Sequence, residues 1–147
     1  MDYGEIYMCI DLKSFFASVE CADKGLDPFT TNLVVADPSR GSGAICLAIT
    51  PAMKALGIRN RCRVFEIPKG VEYITALPRM RRYMEVSAEI YGVYLRYISP
   101  EDIHVYSIDE CFIYATPYLN MYSMHPKQLA QELMDAVFRQ THITATA

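Results

Sequence analysis

Tyr106-Ser107-Ile108-Asp109-Glu110-Cys111-Phe112 sets two adjacent carboxylates inside a stretch that otherwise has the composition of a buried β-strand. Tyr, Ile and Phe favour strands, Asp and Glu are depleted there, and an ionised carboxylate removed from water needs a compensating charge. A divalent cation can supply it. A second carboxylate has a similar setting near the N-terminus, where Asp11 follows the apolar run Ile6-Tyr7-Met8-Cys9-Ile10. Each feature alone is more often a solvated hairpin turn or a strand-end cap. Two acid-ending strands far apart in sequence suggest instead one shared site for two metal ions.

Working outward from that hairpin, its strands are expected at about 103–108 and 111–115. Before it, Pro78 opens what reads as the longest helix, to about residue 98, with Met80, Tyr83, Met84, Val86, Ile90, Tyr91, Val93, Tyr94 and Tyr97 largely at helical spacing. After it, residues 126–140 carry Leu129, Leu133, Ala136 and Val137 on one helical face, and 141–147 have strand composition. At the N-terminus, residues 5–11 are apolar enough for a central strand. Ser14 is placed to cap a helix over 15–24 that Gly25 ends. Strand-like runs at 32–36 and 44–49 flank a turn-forming segment, 37–43. Thr50 and Pro51 then open a short helix, 52–56, closed by Gly57, and 73–77 is a further strand. With residues 12–77 set aside, the order is β-α-β-β-α-β. The expected fold class is therefore α+β: a ferredoxin-like sheet of residues 1–11 and 78–147, with a small α/β subdomain, 12–77, inserted after its first strand. In that layout the first strand and the hairpin lie side by side, and Asp11 meets Asp109.

Composition narrows the function classes. A chain of 147 residues with 52% hydrophobic and 21% charged residues can build a core and is not disordered. Its apolar runs are too short to cross a bilayer, and its acidic start lacks the basic region of a secretory signal, so a cytoplasmic setting without a membrane is expected. Cys9, Cys21, Cys46, Cys62 and Cys111 are scattered without C-x-x-C spacing and read as small buried hydrophobes in a reducing compartment. A net charge of −3 leaves no basic footprint for nucleic acid over the whole chain.

Side chains alternate along a strand, so Asp109 and Glu110 can serve one cation only from a bend or a bulge. Given that, the site offers three carboxylates and a backbone carbonyl just after Asp11. Oxygen-only donors suit Mg²⁺ or Mn²⁺, and two such ions about 3.5–4 Å apart would clamp both oxygens of an in-line phosphoryl displacement.

At these residues the chain resembles a known family. Ile10-Asp11-Leu12-Lys13-Ser14-Phe15-Phe16-Ala17-Ser18-Val19-Glu20 is similar to the opening motif of the Y-family (DinB/UmuC-type) translesion DNA polymerases. Tyr106–Phe112 is similar to their S-I-D-E motif. Ala48-Ile49-Thr50-Pro51-Ala52-Met53-Lys54-Ala55-Leu56-Gly57-Ile58 is similar to their fingers helix, in the UmuC-like Gram-positive branch. The matches come in family order and cover essentially the whole chain. The resemblance implies a palm (1–11 and 78–147, incomplete at its C-terminus) with inserted fingers (12–77). It makes Asp11, Asp109 and Glu110 the catalytic, metal-binding carboxylates, with the Leu12 carbonyl as a further ligand of two Mg²⁺ or Mn²⁺ ions. Lys13, Ser14, Phe15 and Phe16 would hold a dNTP triphosphate at a helix N-terminus, as helix starts do for anions. Phe16 matches the aromatic steric gate against a ribose 2′-hydroxyl, and Lys54 a triphosphate contact. From the residues alone, Phe16 is a core position of an amphipathic helix and Lys54 a solvated one.

The basic residues Arg59, Arg61 and Arg63, and Arg79, Arg81 and Arg82, could face a template strand or simply be solvated. The resemblance further implies primer–template DNA as partner, possible recruitment by a sliding clamp, and a place in the SOS response and DNA repair. The family's Gly-rich turn with its Lys-bearing helix, the thumb and the little finger have no counterpart in these 147 residues, so the chain alone is expected to be inactive or very weak, with a homodimer plausible where sheet edge is left uncovered. Two other readings stay open: a nucleotidyl cyclase, which uses a similar palm, and a non-catalytic module binding DNA or a partner.

Overall fold

A computed structural model describes residues 4–147, which divide into two compact units, residues 84–147 with the N-terminal stretch to Lys13, and residues 14–83. The elements in chain order are β1 (Tyr7–Leu12), α1 (Phe15–Lys24), β2 (Leu33–Val35), β3 (Ala48–Ile49), α2 (Pro51–Lys54), β4 (Ile74–Ala76), α3 (Met80–Tyr94), β5 (Ile103–Ser107), β6 (Glu110–Tyr114), α4 (Thr116–Met121), α5 (Pro126–Thr141) and β7 (Ala145–Thr146). Single 3₁₀ turns occur at Pro38–Arg40, Val64–Glu66 and Pro100–Asp102.

In the first unit, four strands form a sheet in the order β5-β6-β1-β7, with every pairing antiparallel. Together with α3 and α5 this is the expected β-α-β-β-α-β arrangement of an α+β fold, with β1 central. The reason β1 is central differs from the expectation. Its run is not apolar on both sides: Met8, Ile10 and Leu12 are buried, whereas Tyr7 and Cys9 are exposed and Asp11 is partly exposed. The core face of the sheet is completed by Cys111 and Ile113 of β6, and the helices supply Val86, Ile90 and Val93 from α3 and Leu129, Leu133 and Val137 from α5. Those positions repeat at helical spacing, which is why the sequence pattern located both helices.

Boundaries move where the chain has local reasons. α3 ends at Tyr94, so α5, at 16 residues, is the longer helix and not the one opened by Pro78. His142 takes a left-handed conformation (φ 61°) at the end of α5, which leaves only Ala145–Thr146 for the last strand. The short helix α4 was not expected. It starts with Pro117 in its first turn, a position that tolerates the missing N–H.

In the second unit, β3-β2-β4 form a small mixed sheet, β2 pairing antiparallel with β3 and parallel with β4. Helix α1 lies against β2 and β3, and a core of Val34, Cys46, Ile49, Met53, Cys62 and Ile67 fills the unit. The strand expected at 44–49 is reduced to its last two residues, because Ile45 bridges to Arg63 outside the sheet. α1 has the expected bounds, and Gly25 ends it in the left-handed conformation (φ 68°) that a Cβ disfavours.

Candidate metal and nucleotide site

β1 and β6 bring the acids of the first unit together. In their antiparallel register Asp11 is the direct partner of Glu110, with Cys9 opposite Phe112 and Tyr7 opposite Tyr114. These residues share the sheet face that the helices do not cover. The sequence reading paired Asp11 with Asp109; the register corrects this. Asp109 lies one step beyond the strand, in the two-residue turn Ile108-Asp109. Its carbonyl accepts the Leu12 N–H at 2.9 Å, which fixes the turn beside the end of β1.

How Asp109 and Glu110 escape strand alternation is now clear. The β5–β6 register shifts between Val105 and Ser107, so Tyr106 is an extra residue on β5, and Asp109 sits at the bend. Neither turn residue has positive φ, so the hairpin is not closed by the usual left-handed turn types, and other contacts hold it. The Ser87 hydroxyl of α3 donates to the Ile108 carbonyl at 2.6 Å, and the Ser107 hydroxyl donates to Asp109 Oδ1 at 2.9 Å. Ser107 belongs to the S-I-D-E stretch, but Ser87 did not stand out in the sequence, since its only signal is proximity created by the fold.

Asp11 opposite Glu110 is a like-charge cross-strand pair, which is destabilising unless a cation lies between. Among the described residues neither Asp109 nor Glu110 joins an ion pair; their side chains meet the Ser107 hydroxyl and the Cys9 thiol, the latter 3.5 Å from Glu110 Oε1. Cys9 is the cysteine that departs from the expectation. The other four are buried, but Cys9 is exposed beside the acids; desolvation, the Glu110 bond and the charges of Glu110 and Asp11 push its thiol up. Among the described residues no three His, Cys, Asp or Glu side chains already converge as a closed metal cage. The donor chemistry nevertheless fits a hard divalent ion: carboxylate oxygens on one open face, with the Leu12 peptide at its end.

The second unit carries the expected nucleotide residues Ser14, Phe15, Phe16 and Lys54, and Lys13 ends the N-terminal stretch of the first. Ser14 stands at the N-cap of α1 in the left-handed conformation (φ 46°), but its side chain makes no capping bond, contrary to the expectation. Its Oγ is buried without a hydrogen-bond partner, and the first N–H groups of a helix have no intrahelical acceptor. An orphaned hydroxyl beside orphaned N–H groups is a fit for a phosphate. Phe15 is core, at 3% exposure, whereas Phe16 is only partly buried and stacks on Tyr83, with ring centroids 4.4 Å apart and planes 13° apart. Tyr83 was treated as ordinary packing in the sequence, where a helical aromatic stripe gives no sign of a partner on α1. Lys54 is the last residue of α2, partly buried. Lys13 is exposed and gives its backbone N–H to Thr144.

Several basic residues have local partners. Arg59 pairs with Glu66 at 3.0 Å, and Arg63 donates to the Gly43 carbonyl. Arg79 and Arg82 bind Asp23, and Arg79 also binds Glu20, so both serve the fold. No helix among the described residues is long and apolar enough to cross a membrane.

Comparison with known proteins adds the following. Residues 10–147 match the model of the impB/mucB/samB family. The chain is 33% identical to UvrX of Bacillus subtilis, a protein named for UV-damage repair, over 99% of this chain and 35% of that one. It is 38% identical to the DNA repair protein homolog YozK of B. subtilis, over 71% of this chain and 92% of that one. It is 34% identical to DNA polymerase IV 2 of Halalkalibacterium halodurans, over 96% of this chain and 34% of that one. Among solved structures, DinB from Sulfolobus solfataricus superposes with a TM-score of 0.75 at 21% identity, over 95% of this chain and 40% of that one, a likeness of fold. The chain thus spans about a third of the length of UvrX and of the polymerase IV relative.

Proposed function

The chain belongs to the impB/mucB/samB family, and from that premise we propose that it is the palm and fingers part of a Y-family DNA polymerase acting in DNA-damage tolerance. Residues 1–11 and 78–147 form the palm in this reading and 12–77 the fingers. The reaction is template-directed transfer of the nucleotidyl group of a dNTP to a primer. The primer 3′-oxygen bonds to the α-phosphorus, the bond to the β-phosphate oxygen breaks, pyrophosphate leaves and the 3′-hydroxyl proton is released. The observation that carries this reading is Asp11 in direct register with Glu110, with Asp109 on the adjoining turn.

Asp11, Asp109, Glu110 and the Leu12 carbonyl would hold two Mg²⁺ or Mn²⁺ ions. Bound there, such ions neutralise charge on the attacking and leaving oxygens. The chain's own residues orient and select. The α1 start offers the backbone N–H groups of Ser14, Phe15 and Phe16 and the free Ser14 hydroxyl to the triphosphate, and Lys13, whose own N–H goes to Thr144, and Lys54 add positive charge. The Phe16 ring excludes a 2′-hydroxyl, which makes the substrate a deoxynucleotide. Primer–template DNA is the partner, the setting is cytoplasmic, and sliding-clamp recruitment and SOS deployment belong to the same reading.

The test is titration of this chain with Mn²⁺ and dATP by calorimetry. Binding at low-micromolar dATP that needs Mn²⁺ and disappears in Asp109→Ala is the expected result. Binding of duplex DNA with no response to Mn²⁺ or dATP would move the chain to the non-catalytic class.

A further inference from the structure

Phe16 is only partly buried, so its own packing does not fix where its ring stops. A steric gate has to resist displacement, since a misplacement on the order of 1 Å can change a rate by about a hundredfold. What lies against it is Tyr83, a fully buried ring (0% exposed) stacked face to face on Phe16. Tyr83 is held at its far end: its hydroxyl donates to Glu20 Oε2 at 2.7 Å.

Glu20 is a carboxylate that is itself 1% exposed, one helical turn after Phe16 on α1. Arg79 reaches both of its oxygens, at 2.9 and 3.0 Å, and Lys24 reaches Oε1 at 2.9 Å. Arg79 is in turn steadied by Asp23 at 2.7 Å, and Asp23 by two bonds from Arg82, at 3.0 and 2.9 Å. An ionic cluster around a buried carboxylate is an inefficient source of stability, because well-packed apolar residues often do as well. It is a good source of position, since each member fixes the next.

We propose that Glu20, acting through Tyr83, is a positioning residue that holds the Phe16 ring in place and so sets discrimination between deoxyribose and ribose. This rests on the reading of Phe16 as the gate. Tyr83 is the backstop that keeps the ring from yielding to a 2′-hydroxyl. Glu20 anchors the backstop by the phenol oxygen.

The experiment is single-nucleotide primer extension by the full-length gene product, with dATP and ATP measured opposite the same template base. The quantity read is the ratio of their kcat/KM values. Phe16→Ala sets the scale, with a fall in the ratio expected on the order of a hundredfold. Tyr83→Leu removes the backstop and gives a fall of about tenfold or more; Tyr83→Phe keeps the ring, removes the tether and gives about threefold, carried by a lower KM for ATP. A loss of packing alone weakens both nucleotides equally and leaves the ratio where it was. Glu20→Gln is the direct variant, and Tyr83→Phe keeps the test decisive should that protein not fold. If Phe16→Ala relaxes the ratio while both Tyr83 variants retain it, the positioning role is wrong and the gate stands. If Phe16→Ala retains the ratio, Phe16 is not the gate and the positioning role falls with it.

Discussion

In the unit of residues 14–83, Glu20 is buried and receives Arg79, Lys24 and Tyr83; in the other unit, Asp11 faces Glu110 across two strands, while Glu110 and Asp109 are met by a thiol and a hydroxyl. Both regions concentrate carboxylates, and the chain neutralises them in different ways. Around Glu20 the protein supplies its own cations. Burial raises the Glu20 carboxyl, and the hydrogen bonds from Arg79, Lys24 and Tyr83 outweigh that effect and hold it below its ordinary value. Around Glu110 no protein cation is paired with the acid among the described residues, and the positive charge is left to come from outside. The lesson is that an acid saturated by Arg and Lys builds the fold, whereas Glu110 and Asp109, which join no ion pair among the described residues, are available for a metal ion.

The comparison can be broken most severely at Glu20. Glu20→Ala leaves Arg79 and the Tyr83 hydroxyl without their acceptor. Breaking a fully buried pair costs about 3–5 kcal/mol, and because Arg79 and Lys24 are partly exposed the expected loss is near the lower end, about 3 kcal/mol, read by denaturant unfolding. A loss under about 0.5 kcal/mol would show that the cluster is a surface ornament and not a structural hub.

A weaker and reversible way to the same end is acid. The Glu20 and Asp23 carboxyls are both lowered in the fold, Asp23 chiefly by its Arg82 bond. A depressed carboxyl stabilises the folded state above its unfolded pKa, near 4 for these side chains, and that contribution drains away as pH falls from there through the folded value. Melting temperature is therefore expected to fall below about pH 4.5 in the wild type and to fall less steeply in Glu20→Gln. Equal slopes would remove Glu20 from the acid response.

The smallest effect has the opposite sign and sharpens the contrast. Glu110→Gln removes one of two opposed charges, so in chelator it is expected to stabilise the chain by about 0.2–1 kcal/mol. Added Mn²⁺ should then raise the melting temperature of the wild type more than that of the variant, because binding to the folded state stabilises it by mass action. A destabilised Glu110→Gln in chelator would mean that the pair is already neutralised by the protein itself.

The acids, their strand context and the helices were legible because each has a local signature. Asp109-Glu110 interrupts a strand composition, the α5 core face repeats at helical spacing, and Gly25 marks the end of α1. The pairing of Asp11 with Glu110 in place of Asp109 was not legible. It depends on the register of β1 against β6, which no residue preference announces. Ser14 misled for a related reason: its type fits a cap, but in the left-handed conformation it adopts its hydroxyl makes no capping bond.

By itself, the sequence determined that this chain is an α+β protein with acids at a strand end and in a hairpin and an aromatic residue at the start of α1, because hydrophobic period and residue type are local properties. Only the tertiary structure decided which acids face each other, which arginines are consumed by Glu20 and Asp23, and that Tyr83 lies beneath Phe16. Those are contacts between residues some 60 to 100 positions apart, and strand register and helix packing set them, not composition.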